Sequence, residues 1–241
     1  MNGGLISRFC RRFHPLNRLE KQRQSFFAGL PNAHYPAQWI ELFRQPYPET
    51  DADLTALSYL VIDFETTGLN SMMDNILSVA AVPIDNLTLD LSRAWHQFVA
   101  QAQVKEDTAI VNHIVPQMLY GVESLDEVMH ELLRRMQGRI IIAHGCAIER
   151  RFVQHYLASR YGVRCFPLLW LDTLKIERSL RYPAQTNYQL SALRQSYNLP
   201  EYISHNALID AVAAGELFLA QLEKLFGKQH KSLGEVYRRS C

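Results

Sequence analysis

Tyr59 to Asn70 reads YLVIDFETTGLN, an apolar run that ends on two carboxylates, Asp63 and Glu65. Side chains two apart on a strand share one face of a sheet, so the two acids converge while Phe64 points the other way. Two like charges at one strand end repel each other. A divalent cation between them reverses the sign of that interaction, and oxygen ligands of this kind suit Mg²⁺ or Mn²⁺. Thr66, Thr67 and Gly68 follow, offering hydroxyls and a flexible backbone where a phosphate chain could approach closely. A solvated strand end that happens to carry two acids is the plain alternative, and two further segments bear on the choice.

Ile140 to Val153 reads IIIAHGCAIERRFV. Residues 139–143 form a short buried strand, broken by His144-Gly145, and a helix runs from about Ala147 to Tyr161. Glu149 falls in its first turn, where the helix dipole favours an anion. On those grounds alone it is a helix-start acid. Ser204 to Phe218 reads SHNALIDAVAAGELF, with apolar residues at helical spacing. Asp210 lies among them, where an ionised carboxylate is costly unless it is paired or bound to metal. His205 precedes it by five residues, a rotation of roughly 140° in a continuous helix. The two converge only if His205 lies in the loop before the helix, and there it is a candidate general base.

The series D-x-E-T-T-G, H-x4-E-x2-F and H-x-A-x2-D-A, in this order over Tyr59 to Phe226, resembles the DEDD-type 3′–5′ exonucleases of the His-containing subgroup. That superfamily includes the proofreading epsilon subunit of bacterial DNA polymerase III, ribonuclease T and oligoribonuclease. Leu171 to Leu174 and Gln189 to Leu193 also resemble family segments. The resemblance implies Asp63, Glu65 and Asp210 as metal ligands and His205 as general base. It implies Thr66, Thr67, Gly68, Leu69 and His113 as substrate contacts. Two departures stand out. Glu149 occupies the position of the family's fourth acid, usually Asp, and Gly145 and Ile148 replace its Asn and Phe. Asn112-His113 replaces a His-Gly pair near the bound 3′ end.

The implied chemistry is two-metal hydrolysis of a phosphodiester, releasing nucleoside monophosphates from the 3′ end of DNA or RNA. Two Mg²⁺ or Mn²⁺ ions would activate water and neutralise the phosphate. Asp63 would bridge them, with Glu65, Asp210 and Glu149 flanking, and His205 would take the proton of the attacking water. The competing reading is a nucleic-acid- or polymerase-binding module that keeps the fold with weak catalysis, because of Glu149 and the altered Asn112-His113 segment. A decayed module is expected to have lost an acid, so the intact set favours the enzyme.

Composition agrees with a soluble, cytoplasmic enzyme: 241 residues, 48% apolar, enough to bury one sizeable core plus an extension. The net charge of +1 gives no global basic field, which leaves local gripping of phosphates by groups such as Arg150 and Arg151. The four cysteines have neither metal spacing nor a disulfide framework, so reduced thiols are expected. No apolar run reaches the roughly 20 residues that span a membrane.

The expected organisation is an N-terminal extension and linker over 1–58, an exonuclease domain over 59–226, and a tail over 227–241. Residues 1–24 carry six basic side chains against Glu20 alone, yet lack the Ser enrichment of a transit peptide. One or two helices packing on the domain, or an arm for a polymerase or repair partner, are expected there. Pro46-Tyr47-Pro48 and the acidic stretch to Asp53 read as a linker. The short tail favours a stand-alone role over a docking domain, and no motif fixes the oligomeric state. Three strands in a meander, a helix over Ser124 to Gln137 with Ser124 and Glu127 as a capping box, then alternating strand and helix, fit an α/β fold. The expected architecture is ribonuclease H-like: a mixed five-stranded sheet flanked by helices.

Overall fold

The computed structural model describes residues 14–30, 35–101, 114–180 and 186–241. Its spine is β1 (Tyr59–Thr66), whose alternating side chains enter two different cores. β1 pairs antiparallel with β2 (Ile76–Asp85), which in turn pairs antiparallel with β3 (Thr88–Leu89) and with β4 (Trp95–Phe98). On its other side β1 runs parallel to β5 (Ile140–Ala143), and β5 parallel to β6 (Trp170–Asp172). The sheet is therefore mixed and has six strands where five are expected. The addition is the two-residue β3, created by a tight turn in which Asn86 and Leu87 both adopt positive φ. Nothing in its composition marks so short a strand.

Helices cover both faces. α1 (Pro15–Gly29) and α2 (Gln38–Arg44) precede the sheet, α3 (Leu125–Arg135) makes the crossover to β5, and α4 (Ala147–Tyr161) follows β5. Leu60, Ile62 and Phe64 pack with these helices in one core. α3 starts on the expected capping box, Ser124 with Glu127, and buries Val128, Met129, Leu132 and Leu133. On the opposite face Tyr59 and Val61 meet α5 (Thr173–Ser179), α7 (Ala207–Phe226) and α8 (Leu233–Arg239), while α6 (Leu190–Ser196) packs beside α7.

The N-terminal helices are part of this packing. Trp39 and Phe43 of α2 are fully buried, and both rings sit about 5 Å from Phe166. The Pro46 to Asp53 stretch, expected as a linker, is tied down instead of spanning open solvent. Tyr47 N–H donates to Glu20 at 2.9 Å, its hydroxyl donates to the Pro167 carbonyl, and Asp53 bridges to Ser232. Residues 227–241 include α8, whose Leu233 and Val236 are buried. Among the described residues no helix is long and apolar enough to cross a membrane, and Cys146, Cys165 and Cys241 are free thiols.

Candidate metal and catalytic centre

β1 and β5 are parallel, so their C-terminal ends emerge at the same edge of the sheet, where parallel α/β folds gather their functional side chains. Asp63 and Glu65 project there. The pairing of β1 with β2 slips between Glu65 and Thr66, a bulge that re-aims the strand end. Across the gap, Asn206 caps α7, accepting from the N–H groups of Leu208 and Ile209 at 3.1 and 3.2 Å. Asp210 sits in the first turn of that helix. Carboxylate oxygens of Asp63, Glu65 and Asp210 all lie within 4.8 Å of one another.

Glu149 comes from α4, directly after β5. It is buried, 4% exposed, and its Oε2 has no hydrogen-bond partner among the described residues. It is outside the tight trio, yet its charge acts on Asp63 more strongly than that of Asp210 or Glu65. Burial first, then these like charges, hold the Asp63 carboxyl well above the ordinary range. Burial and the Asp210 charge push Glu65 up to about 7. Burial lifts Glu149 to about 8, against its own backbone N–H bond and with help from Asp172. Asp210 is also raised by burial, offset in part by N–H groups of His205 and Asn206. Among the described residues no Lys or Arg forms an ion pair with any of these four acids. Clustered hard oxygen donors, raised proton affinities and one orphaned buried oxygen together fit a divalent cation of the Mg²⁺ or Mn²⁺ type.

His205 lies in the loop before α7, with φ +67°. Its backbone N–H donates to Asp210 Oδ2 at 2.9 Å. The exposed imidazole borders an open trough of about 680 Å³ that also contains Asp63, Asp210, His144 and Gln189. A smaller cavity of about 270 Å³ adjoins on the other side and is shared by Glu65 and His205.

The Thr66 to Asn70 loop is pinned from within. Thr66 Oγ1 donates to the Gly68 carbonyl, and Asp74 accepts from Thr67 Oγ1 and Asn70 N–H. A Cβ at Gly68 would fall 2.5 Å from Asp74 Oδ2, so a larger residue there would displace the carboxylate that holds the loop. Leu69 is 66% exposed beside the site. His113 and Asn112 lie outside the described residues.

Two residues already within family-like segments, Asp172 and His144, have structural partners that their spacing does not reveal. Asp172 caps α5 and also accepts from Gly145 N–H at 2.9 Å, clamping the turn that launches α4 and Glu149. Its partner is 27 residues away, which spacing does not reveal, although an Asp before an apolar helix is a readable cap signal. His144 is held between Thr173 Oγ1 at 2.8 Å and the Tyr188 carbonyl at 3.0 Å, and burial lowers its proton affinity.

Comparison with known proteins places this geometry. The exonuclease family RNase_T matches residues 60–218. The epsilon subunit of DNA polymerase III from Aquifex aeolicus is 27% identical over 183 residues, 75% of this chain and 87% of that protein. PolC-type DNA polymerase III of Thermotoga petrophila is 27% identical over 177 residues, 73% of this chain, which spans only 12% of that much longer relative. Among solved structures, the nuclease domain of 3′hExo, a DEDDh family member bound to rAMP, superposes with a TM-score of 0.61 at 16% identity, covering 72% of this chain and 95% of that one. Exonuclease X in complex with 5′ overhanging duplex DNA gives 0.55 at 18% identity, over 74% and 99%. The fold is thus the ribonuclease H-like arrangement of these nucleases, and the chain belongs to the RNase_T exonuclease family.

Proposed function

We propose that this protein is a divalent-cation-dependent 3′–5′ exonuclease that releases nucleoside monophosphates from DNA or RNA. The convergence of Asp63, Glu65 and Asp210 within 4.8 Å, with orphaned Glu149 beside Asp63, carries this reading. Two ions held by these carboxylates would supply an activated water and neutralise charge on the phosphate and the leaving oxygen. Asp63 on the central strand, Glu65 beside it, Asp210 from α7 and Glu149 from α4 would hold the ions.

His205 accepts the proton of the attacking water, and its place on the rim of the trough gives that proton a path to solvent. Only the neutral imidazole, with a free ring nitrogen, can do so. The Thr66 to Gly68 backbone receives the terminal nucleotide, with Leu69 against its base. The relatives support the substrate class: one solved neighbour holds rAMP and another holds DNA.

The test is a gel assay of 5′-labelled single-stranded DNA and RNA of equal sequence, run with Mg²⁺, Mn²⁺ or EDTA. Shortening from the 3′ end that needs metal and disappears in Asp63→Ala is the expected outcome. Metal-independent cleavage, or full activity in a folded Asp63→Ala protein, would sink the assigned centre.

A further inference from the structure

A second concavity, of about 590 Å³, runs along the outer side of α4 toward the segment that enters β6. Arg150, Arg151 and Arg164 line it, and no Asp or Glu does. All three are exposed, and among the described residues none forms an ion pair. Arg151 gives only its Nε to the Ala147 carbonyl, at 2.9 Å. Other surface arginines behave differently: Arg134 of α3, Arg160 near the end of α4 and Arg239 of α8 each hold a carboxylate at 2.8 Å or less. Three uncompensated guanidiniums in one groove are therefore a local concentration of positive charge on a chain whose net charge is only +1.

Phe166 and Trp170 contribute to its apolar floor, although Trp170 is only 7% exposed and Phe166 packs against Trp39 and Phe43. Its lining reaches the acid cluster through chain continuity on two sides. Ala147 lies two residues before Glu149, and Ser71 belongs to the loop that leaves β1 after Glu65. The two residues after Ser71, Met72 and Met73, are 79% and 82% exposed, apolar side chains left in solvent beside the groove. Guanidinium forks match phosphate oxygens, and apolar or aromatic side chains receive bases without reading their sequence. Resting on the exonuclease reading above, we infer that this groove carries the phosphates of the single-stranded substrate beyond the few nucleotides at the acid cluster, with Arg150, Arg151 and Arg164 as the contacts.

The test compares the full-length wild type with Arg150→Ala/Arg151→Ala/Arg164→Ala and with the matching triple Lys variant. Anisotropy of 5′-labelled oligothymidylates, about 4 and about 16 nucleotides long, is measured in EDTA across a salt series. Single-strand binding loses about 0.7 in log–log salt slope per phosphate contact, so the Ala variant should show a slope lower by about 2. Its affinity for the long oligonucleotide should fall ~10-fold or more at low salt while the short one is little affected, and the Lys variant should keep the salt slope. Hydrolysis of the p-nitrophenyl ester of thymidine 5′-monophosphate with Mn²⁺ should be equal in all three proteins.

An unchanged slope and length dependence in the Ala variant would overturn the groove assignment, as would a parallel loss of ester hydrolysis, which would mean a disturbed centre. The two readings separate cleanly. A wild type that binds the long strand through the groove yet hydrolyses neither ester nor oligonucleotide would remove the exonuclease and leave the groove. Active enzyme with no groove effect would do the reverse.

Discussion

The two ends of the β1–β2 pair treat carboxylates in opposite ways. At one end, where Tyr59 faces Ile84, Asp85 is met by Arg93 at 2.5 Å and Arg139 at 3.1 Å. Burial would push its carboxyl up, but hydrogen bonds from Ser58, Arg93 and Arg139 pull it down to about 2. At the other end, about a strand's length away, Asp63, Glu65, Glu149 and Asp210 lie together with no ion pair to an arginine or lysine among the described residues, and all four are raised even though Arg194 acts weakly on Asp210. One sheet therefore holds a carboxylate paired by its own chain and a group of carboxylates that its own chain leaves without ion pairs among the described residues. The first kind serves stability. The second costs stability, and the proposed metal site would be its return.

The sharpest way to break this contrast is to neutralise one acid at each end. Asp63→Asn should lower exonuclease turnover by ~10³-fold or more, because acids that act as a unit fail together. Asp85→Asn should leave turnover within about twofold. Steady-state rates on a labelled oligonucleotide decide it, and comparable losses in both variants would erase the distinction.

Stability against pH gives the next largest effect. Glu65 and Glu149 have folded values of about 7 and about 8, above the ordinary carboxylate value they recover on unfolding. The native state thus binds more protons, and in EDTA their contribution weakens as pH rises from about 5 through 8. Saturating Mn²⁺ should flatten that decline and raise the melting temperature at pH 8, adding about 2.7 kcal/mol of stability at a hundredfold excess over Kd. Asp63→Asn in EDTA should melt higher than wild type at pH 8, since one of the repelling charges is gone. Thermal melts at several pH values test all three expectations.

Asp85 carries the opposite sign. Its depressed value adds stability above about pH 4 that is lost as pH falls toward 2. Asp85→Asn should therefore cost about 1 kcal/mol at pH 7 by urea unfolding, and nothing near pH 2. A loss independent of pH would indicate packing and not charge.

The acid end was the more legible of the two. Period-two geometry is enough to bring Asp63 and Glu65 together, and the bounds of α4 and the capping box of α3 follow from local signals. The requirement that His205 sit outside the helix is met because Asn206 is a good cap and stops α7 one residue short of it. What stayed hidden depends on partners far apart in the chain. Asp172 reaches Gly145, Tyr47 reaches Pro167 across 120 residues, and Arg139 reaches Asp85 across 54. A run such as Pro46-Tyr47-Pro48 reads as a spacer because proline speaks only about its own backbone. Tyr47 and its distant carbonyl acceptor decide that the segment is packed.

The bond from His205 N–H to Asp210 Oδ2 makes the loop and the helix a latch. His205 holds a positive φ that a residue with a Cβ adopts at some cost, and the Asp210 carboxylate helps keep it there. The Asp210 carboxylate is thereby tied to the backbone while it also lies within 4.8 Å of Asp63 and Glu65. Whatever draws that carboxylate inward also tightens the segment carrying His205, and whatever releases it lets that segment slacken. The position of the His205 imidazole is thus set by a carboxylate of the acid cluster as well as by its own loop.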